Sequence, residues 1–351
     1  MAVQIDRSSP VLVTGGGGYI ASWVVRELLA EGLSVRATVR STADAKKVSH
    51  LLELGAAYPG MLQLFESDLL VDGSFEEAMQ GCGLVMHTAS PFFVSGIKDA
   101  QKELVDPALQ GTRNVLETVN RVDSVKRVVL TSSVAAIIGD NIDAKNVPDR
   151  SMNESHWNTS SSLDHDPYSY SKTLAEKEAW KIVEAQQRWD LVIINPAFVL
   201  GPSLSRRADG TSVGFMKSMA GGEFRFGVPD LLMGVVDVRD VARAHILAAI
   251  KPGASGRHIT CAETLTILEM GQILREAIGD RYPFPRNNLP DFLMYIAGPF
   301  VGMSWTKVSR NIGVKYKLDH SYSKQDLGLS YRSVRTTLVD HIEQMAAGGM
   351  L

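Results

Sequence analysis

A doubly wound α/β fold, a parallel sheet with helices on both faces followed by a smaller, mostly helical C-terminal part, is what three features of this sequence predict. Short apolar runs alternate with helix-period segments as far as Cys261. Gly15-Gly16-Gly17-Gly18 follows the first apolar run and precedes the first helical pattern. Hydroxyl side chains collect at the ends of later runs, where open parallel sheets bind ligands. A chain of 351 residues has room for a large core, in about two domains or one large one with an extension.

Val11-Leu12-Val13 reads as a strand, and Ile20, Val24 and Leu28 mark a helix that stops at Gly32, so the glycines form the turn between them. Gly15, Gly18 and Ala21 have the spacing G-x-x-G-x-x-A. A backbone so spaced turns sharply, approaches a pyrophosphate and offers amide N–H groups at a helix N-terminus. That is the dinucleotide-binding turn of a Rossmann-type sheet. The next strand alternates Leu33, Val35, Ala37 and Val39 and ends at Arg40, where an NAD-specific turn carries an acidic residue for the ribose. A guanidinium suits phosphate oxygens instead. With Lys47 on the following turn as a second cation, it predicts NADPH, held by its 2′-phosphate.

Met61 to Phe65 is read as a third strand running into Ser67-Asp68-Leu69, where Asp68 either accepts from an adenine amino group or caps a helix. Ser74-x-x-Glu77 matches a capping box and predicts a short helix. Leu84 to Ala89 is a fourth, buried strand whose Thr88-Ala89 end faces the cofactor. His87, inside that apolar run, is read as a hydrogen-bonded core histidine with no part in the chemistry. A helix from about Lys98 to Arg121 leads to the strand Val125 to Leu130 and then to Thr131-Ser132-Ser133. A hydroxyl there can donate to a substrate carbonyl, and the residues alone do not separate Ser132 from Ser133.

Asp166-Pro167-Tyr168-Ser169-Tyr170-Ser171-Lys172 opens the next helix, with Asp166 as N-cap and Pro167 in the first turn. Tyr168 and Lys172 stand four apart and share one face. A neighbouring ammonium and the helix N-terminus are expected to bring Tyr168 below the roughly 10 of free tyrosine, toward the range of an acid catalyst in carbonyl reduction. After the strand Leu191 to Ile194, Asn195-Pro196 and Gly201-Pro202 turn the chain outward. Residues 201–232 show no strong period and read as a substrate lid, with Arg206 and Arg207 as solvated loop charges. Val235 to Val238, a helix from Arg239 to Ile250 and the strand Arg257 to Cys261 read as a return to the sheet. Thr266-x-x-Glu269 caps a further helix, and the rest, past Pro283, Pro285 and Pro290, is mostly helical. The expected division is a dinucleotide-binding unit of residues 1–200 with 233–262, and a substrate unit of 201–232 and 263–351.

A net charge of −3 gives no long-range attraction to nucleic acid or to an anionic membrane, so a small carbonyl compound is the expected partner. Cys82 and Cys261 lie far apart and support neither a disulfide framework nor a cysteine metal site, and no metal is expected. The residues before Val11 lack an apolar run of signal-peptide length. Phe292 to Met303, the most hydrophobic late stretch, is too short to span a bilayer and is broken by Gly298, Pro299 and Gly302. It reads as a buried helix or lid in a cytoplasmic protein without a membrane partner.

Thr14-Gly15-x-x-Gly18-Tyr19-Ile20-Ala21, Arg40, His87-Thr88-Ala89-Ser90-Pro91, Thr131-Ser132-Ser133, Tyr168-x-x-x-Lys172, Asn195-Pro196-x-x-Val199-x-Gly201-Pro202 and Val236-Asp237-Val238-Arg239-Asp240-Val241-Ala242 occur in that order. On these motifs the chain resembles, over nearly its full length, the extended short-chain dehydrogenase/reductases. Within them it is similar to the aldehyde and carbonyl reductases related to dihydroflavonol reductase and yeast methylglyoxal reductase. The resemblance implies an NADP-dependent oxidoreductase that reduces aldehydes or ketones to alcohols, reversibly as an alcohol dehydrogenase. It implies that Ser133 polarises the carbonyl, Tyr168 delivers the proton, and Lys172 lowers the tyrosine pKa and holds the nicotinamide ribose. By the same comparison Pro196, Val199 and Ser212 touch the nicotinamide half, Asp68 and Leu69 the adenine, Arg40 the 2′-phosphate, and Tyr19, Ile20, Thr88 and Ala89 line the cofactor. Members of the family occur as monomers or homodimers.

Two departures bear on substrate. Members that reduce dihydroflavonols carry an asparagine where this chain has Ile138, and the cinnamoyl-CoA reductase signature is replaced at Asp166-Pro167. An apolar wall of Phe92, Phe93, Ile138, Phe215 and Phe226 is expected, hence hydrophobic or aromatic carbonyls. The rival readings are an NAD-dependent sugar-nucleotide epimerase or dehydratase, which Arg40 opposes, and a non-catalytic NADPH-sensing regulator, which needs no proton donor. A membrane-associated sterol dehydrogenase is a further one, suggested by Phe292 to Met303.

Overall fold

The computed structural model describes residues 6–90, 98–205, 210–298 and 303–351. Strands β1 (Val11–Thr14), β2 (Val35–Val39), β3 (Leu62–Glu66), β4 (Leu84–His87) and β5 (Arg127–Thr131) alternate with helices α1 (Tyr19–Ala30), α2 (Ala45–Ala57), α3 (Glu76–Met79) and α4 (Asp106–Arg121). The short β6 (Ser151–Met152) precedes α5 (Pro167–Glu184), β7 (Asp190–Pro196) and β8 (Phe198–Leu200). Then come α6 (Thr211–Gly221), β9 (Leu232–Asp237), α7 (Val238–Ile250), β10 (Gly256–Thr260), β11 (Glu263–Thr266) and α8 (Ile267–Ile278). The chain closes with α9 (Asp291–Ala297), α10 (Trp305–Asn311), β12 (Lys317–Leu318), α11 (Ser321–Leu327) and α12 (Val334–Ala347).

Seven strands form one sheet in the order β10-β7-β5-β4-β1-β2-β3, every pairing parallel. Successive side chains of a strand face opposite ways, so Val11 and Val13 enter the core built on α1 and α7 while Leu12 enters the one built on α4 and α5. Burial on both faces explains why these strands are unbroken apolar runs. Strand order reverses between β1 and β4, which pair with Thr14 beside His87, and a crevice opens beyond their carboxyl ends. On the other side of that crevice β5 and β7 are held at their entry by Arg127. Its buried guanidinium takes both oxygens of Asp190 at 2.7 and 2.8 Å and donates to the carbonyls of Ala248, in the last turn of α7, and of Lys251, the residue just beyond it. Those carbonyls have no partner within the helix, so one side chain satisfies a helix end and two strands together.

The doubly wound sheet is as expected, and several local expectations are not. The Ser74-x-x-Glu77 pattern makes no capping box: Ser74 Oγ donates to the Asp68 carbonyl, and α3 starts after Phe75 without a side-chain cap. The supposed aperiodic lid contains α6, whose Val213, Met216, Met219 and Ala220 are buried at helical spacing. Gly214 and Gly221 had diluted the helical signal. β9 does not return to the main sheet but pairs with β8 and β11 in a three-stranded one; only α7 and β10 rejoin the seven strands. In place of a buried helix after Asp291, α9 exposes Phe292, Tyr295 and Ile296, and no described helix is long and apolar enough to cross a membrane. Phe92, Phe93, Arg206, Arg207, Pro299 and Gly302 lie outside the described residues.

The first turn is packed to its limit. Gly15 holds φ +66°, and a Cβ on Gly16 would stand 2.8 Å from the Cβ of Ala37, a strand atom with no rotamer to retreat to. Gly16→Ala should therefore cost about 1–3 kcal/mol of stability through overpacking, read as a lower urea midpoint at unchanged slope.

Candidate active site

A turn shaped to fit a nucleotide lies at the end of β1. Gly18 is the N-cap of α1 and offers no side-chain cap, and the first turn carries no acidic residue, so its amides face outward with their partial positive charge uncancelled. Thr14 Oγ1 accepts from the amides of Thr88 (3.1 Å) and Ala89 (3.0 Å) and so spends its own hydrogen on His87 Nδ1 at 2.9 Å. His87 is thus the Nε2–H tautomer. Burial, with Lys172 nearby, pushes it down to about 3, and it is the neutral core histidine expected. Arg40 is exposed at the end of β2 with no carboxylate partner among the described residues. Amides at a helix start, tight glycines and an unpaired guanidinium one strand away fit a dinucleotide with a 2′-phosphate.

Other residues expected at the cofactor have local engagements. Lys47 pairs with Asp44 at 2.8 Å, and Asp68 folds back on the Leu70 amide at 2.9 Å. Tyr19 donates to the Gly201 carbonyl at 2.5 Å while Trp23 donates to Pro202 at 2.8 Å, so α1 grips the turn after β8 with both side chains. Ile20 packs on the core, and Leu69 fills the space that the missing side chain of Gly111 leaves. Ser212 Oγ donates to the Val199 carbonyl at 2.6 Å, and Pro196 closes β7 opposite Thr260.

The two serines after β5 are separated by what they bond. Ser132 Oγ donates to Glu176, a fully buried carboxylate on α5. Glu176 also accepts from Asn195 Nδ2 at 2.7 Å and Arg257 Nε at 2.5 Å. Arg257 in turn donates to the carbonyls of Glu154 and His156 and lies over the Trp157 ring at 3.9 Å. Ser133 points the other way. It caps a short 3-10 turn through the Ala135 amide, and its hydroxyl lies close enough to the Tyr168 phenol to favour that phenol's ionised form. Asn195 was read only as part of a turn motif and Arg257 only as a strand start, and Glu176 was not singled out in the sequence; the one available signal for it was the spacing of Tyr168, Lys172 and Glu176 at four and eight, one helical stripe.

Asp166 and Pro167 open α5 as expected, with Asp166 Oδ1 accepting from the Ser169 amide at 3.4 Å. The expected acidity of Tyr168 is overturned. Burial, and then the Asp166 carboxylate, push the phenol above its ordinary value, and the Ser133 hydroxyl offsets this only in part. Lys172 does not reverse it because its ammonium donates to Ser90 Oγ at 2.8 Å and stands 5.7 Å from the centre of the Tyr168 ring. Burial brings Lys172 itself down to about 8. Of the expected apolar wall, Ile138 is buried in the core, Phe215 packs between Phe198 and Phe224, and Phe226 is 78% exposed under Arg225.

The model of the NAD dependent epimerase/dehydratase family matches residues 11–262. Cinnamoyl-CoA reductase CAD2 of Medicago truncatula is 44% identical over 284 residues, covering 80% of this chain and 82% of that protein. Tetraketide alpha-pyrone reductase 1 of Arabidopsis thaliana is 35% identical over 344 residues, 97% of this chain and 96% of that one. Among solved structures, yeast methylglyoxal/isovaleraldehyde reductase Gre2 complexed with NADPH is similar at a TM-score of 0.80 and 28% identity, covering 97% of this chain and 100% of that one.

Removing the Glu176 carboxylate would strand a buried guanidinium. Glu176→Ala is expected to lower stability by about 3–5 kcal/mol, measured by urea denaturation against wild type.

Proposed function

Because the chain belongs to the NAD-dependent epimerase/dehydratase family, in its extended short-chain reductase branch, we propose that Ser133, Tyr168 and Lys172 are its catalytic set and that it reduces hydrophobic or aromatic carbonyl compounds. The protein is an NADPH-dependent oxidoreductase, and the observation that carries the catalytic reading is the Ser133–Tyr168 hydroxyl pair with Lys172 one turn further along the same helix. NADPH, when bound, supplies the hydride. Ser133 and Tyr168 bind the carbonyl oxygen from two hydroxyls, and the phenol proton passes to that oxygen as negative charge develops on it. The Lys172 ammonium, one turn away, steadies the phenolate left behind. A phenol held above its ordinary value is fully protonated at neutral pH, which is the form that reduction requires. Arg40 takes the 2′-phosphate, and its position at the end of β2 speaks against the NAD-dependent epimerase reading.

The carbonyl itself is the finer question. The Medicago relative is named for a CoA thioester and the Arabidopsis relative for a polyketide pyrone, so aromatic thioesters and pyrones belong beside aldehydes and ketones in a substrate panel. Replacement of the cinnamoyl-CoA reductase signature at Asp166-Pro167 does not remove thioesters from it, given 44% identity to a protein of that name.

NADPH consumption over that panel tests the assignment. Tyr168→Phe should lose about 10²–10⁴-fold in kcat while still binding NADPH; a variant near the wild-type rate defeats the catalytic set. Arg40→Ala should raise KM for NADPH about tenfold, the worth of one charge-assisted hydrogen bond, and leave KM for NADH where it was.

A further inference from the structure

The carboxylate that opens α5 is held from two sides. Asp166 Oδ1 caps the helix, and Oδ2 accepts from Lys307 Nζ at 3.2 Å. Its backbone sits at φ +54°, in the left-handed region that few residues other than glycine occupy, so the direction of this side chain is imposed at a cost by its surroundings. Lys307 belongs to α10, and that helix is docked by more than one contact. Arg310 and Asn311 reach the two oxygens of buried Asp140 at 3.2 and 2.8 Å, and Asn311 Oδ1 accepts from the Asn141 amide at 2.9 Å. His165, one residue before Asp166, also holds Asp140, at 2.7 Å. Asp140 begins the turn downstream of Ser133, and Asp166 begins the helix of Tyr168. Helix α10 thus joins, from the C-terminal part of the chain, the two segments that carry the hydroxyl pair.

We propose that Lys307 is a positioning residue for carbonyl reduction: by pairing with Asp166 it cancels the anion beside Tyr168 and so couples the docking of α10 to the ease with which the phenol gives up its proton. The inference rests on Tyr168 being the acid. A carboxylate two residues away in the same turn opposes a phenolate, and this one raises Tyr168. A cation on that carboxylate relieves the opposition. Among the described residues, Lys172 on its own helix and the uncharged Ser133 from the turn after β5 also face Tyr168. The cluster of Asp140, His165 and Arg310 lies one layer out with a carboxylate and a guanidinium in opposition.

The experiment uses NADP+-dependent oxidation of cinnamyl alcohol, where the acidic limb of kcat against pH reports the Tyr168–Lys172 pair in the ternary complex. Lys307→Met should move that limb up by about one pH unit, Asp166→Asn should move it down, and Lys307→Arg should restore it. In the Asp166→Asn background, Lys307→Met should move the limb by clearly less, because an ammonium without its partner turns out to solvent; Asn still caps the helix, so the fold is kept. The same shifts are expected without turnover, in the phenolate absorbance of each protein in its NADP+ complex minus that of its Tyr168→Phe version. A limb and a phenolate titration unmoved by Lys307→Met, or moved equally in both backgrounds, overturns the proposal. Tyr168→Phe separates the two failures: activity near wild type defeats the acid assignment, whereas a dead variant with an unmoved Lys307→Met defeats only the coupling.

Discussion

One buried carboxylate sets the geometry on which the rest of the site depends. A charge in a protein interior persists only when its oxygens are fully engaged, and Glu176 is engaged by donors carried by three adjacent strands: Ser132 after β5, Asn195 near the end of β7 and Arg257 near the start of β10. Those residues are remote in sequence and neighbours in the sheet. Glu176 lies on α5 one turn beyond Lys172 and two beyond Tyr168, so fixing it fixes how far the helix has slid along the sheet. The height of the phenol relative to Ser133 follows from that. Ser132 and Ser133 then divide the work, one committed to the anchor and the other to the phenol.

At the opposite wall of the crevice the controlling constraint is steric. Gly16 lets the first turn lie on Ala37, and Gly15 lets it meet Ala89 at the end of β4. Thr14 draws the backbone after β4 over that turn with two accepted hydrogen bonds. Tyr19 and Trp23 then tie α1 to the Gly201-Pro202 turn, so the first turns of that helix serve as a brace between the sheet and the segment that follows β8.

Electrostatics in this crevice are governed by burial more than by the nearest cation. Lys172 stands within reach of Tyr168, yet both groups are displaced toward their neutral forms, the phenol upward and the ammonium down to about 8. Desolvation penalises either charge, and the ammonium spends its hydrogen bond on Ser90 rather than on the phenol. A pair poised in this way holds its proton on the tyrosine.

Local patterns were enough to identify the doubly wound sheet, the glycine turn, the Asp166-Pro167 helix start and the family, because strand alternation, glycine spacing and caps are properties of short stretches. Helix α6 was hidden because its packing partners, not its own residues, compensate for its glycines. β9 reads like any core strand, and only its partners place it in the small sheet. Which serine faces Tyr168, how Glu176 and Arg257 brace it, and the direction in which the phenol is displaced were decided by tertiary structure alone. Each depends on distances between segments far apart in the chain and on how much water their meeting excludes, and neither quantity is written in a local stretch of sequence.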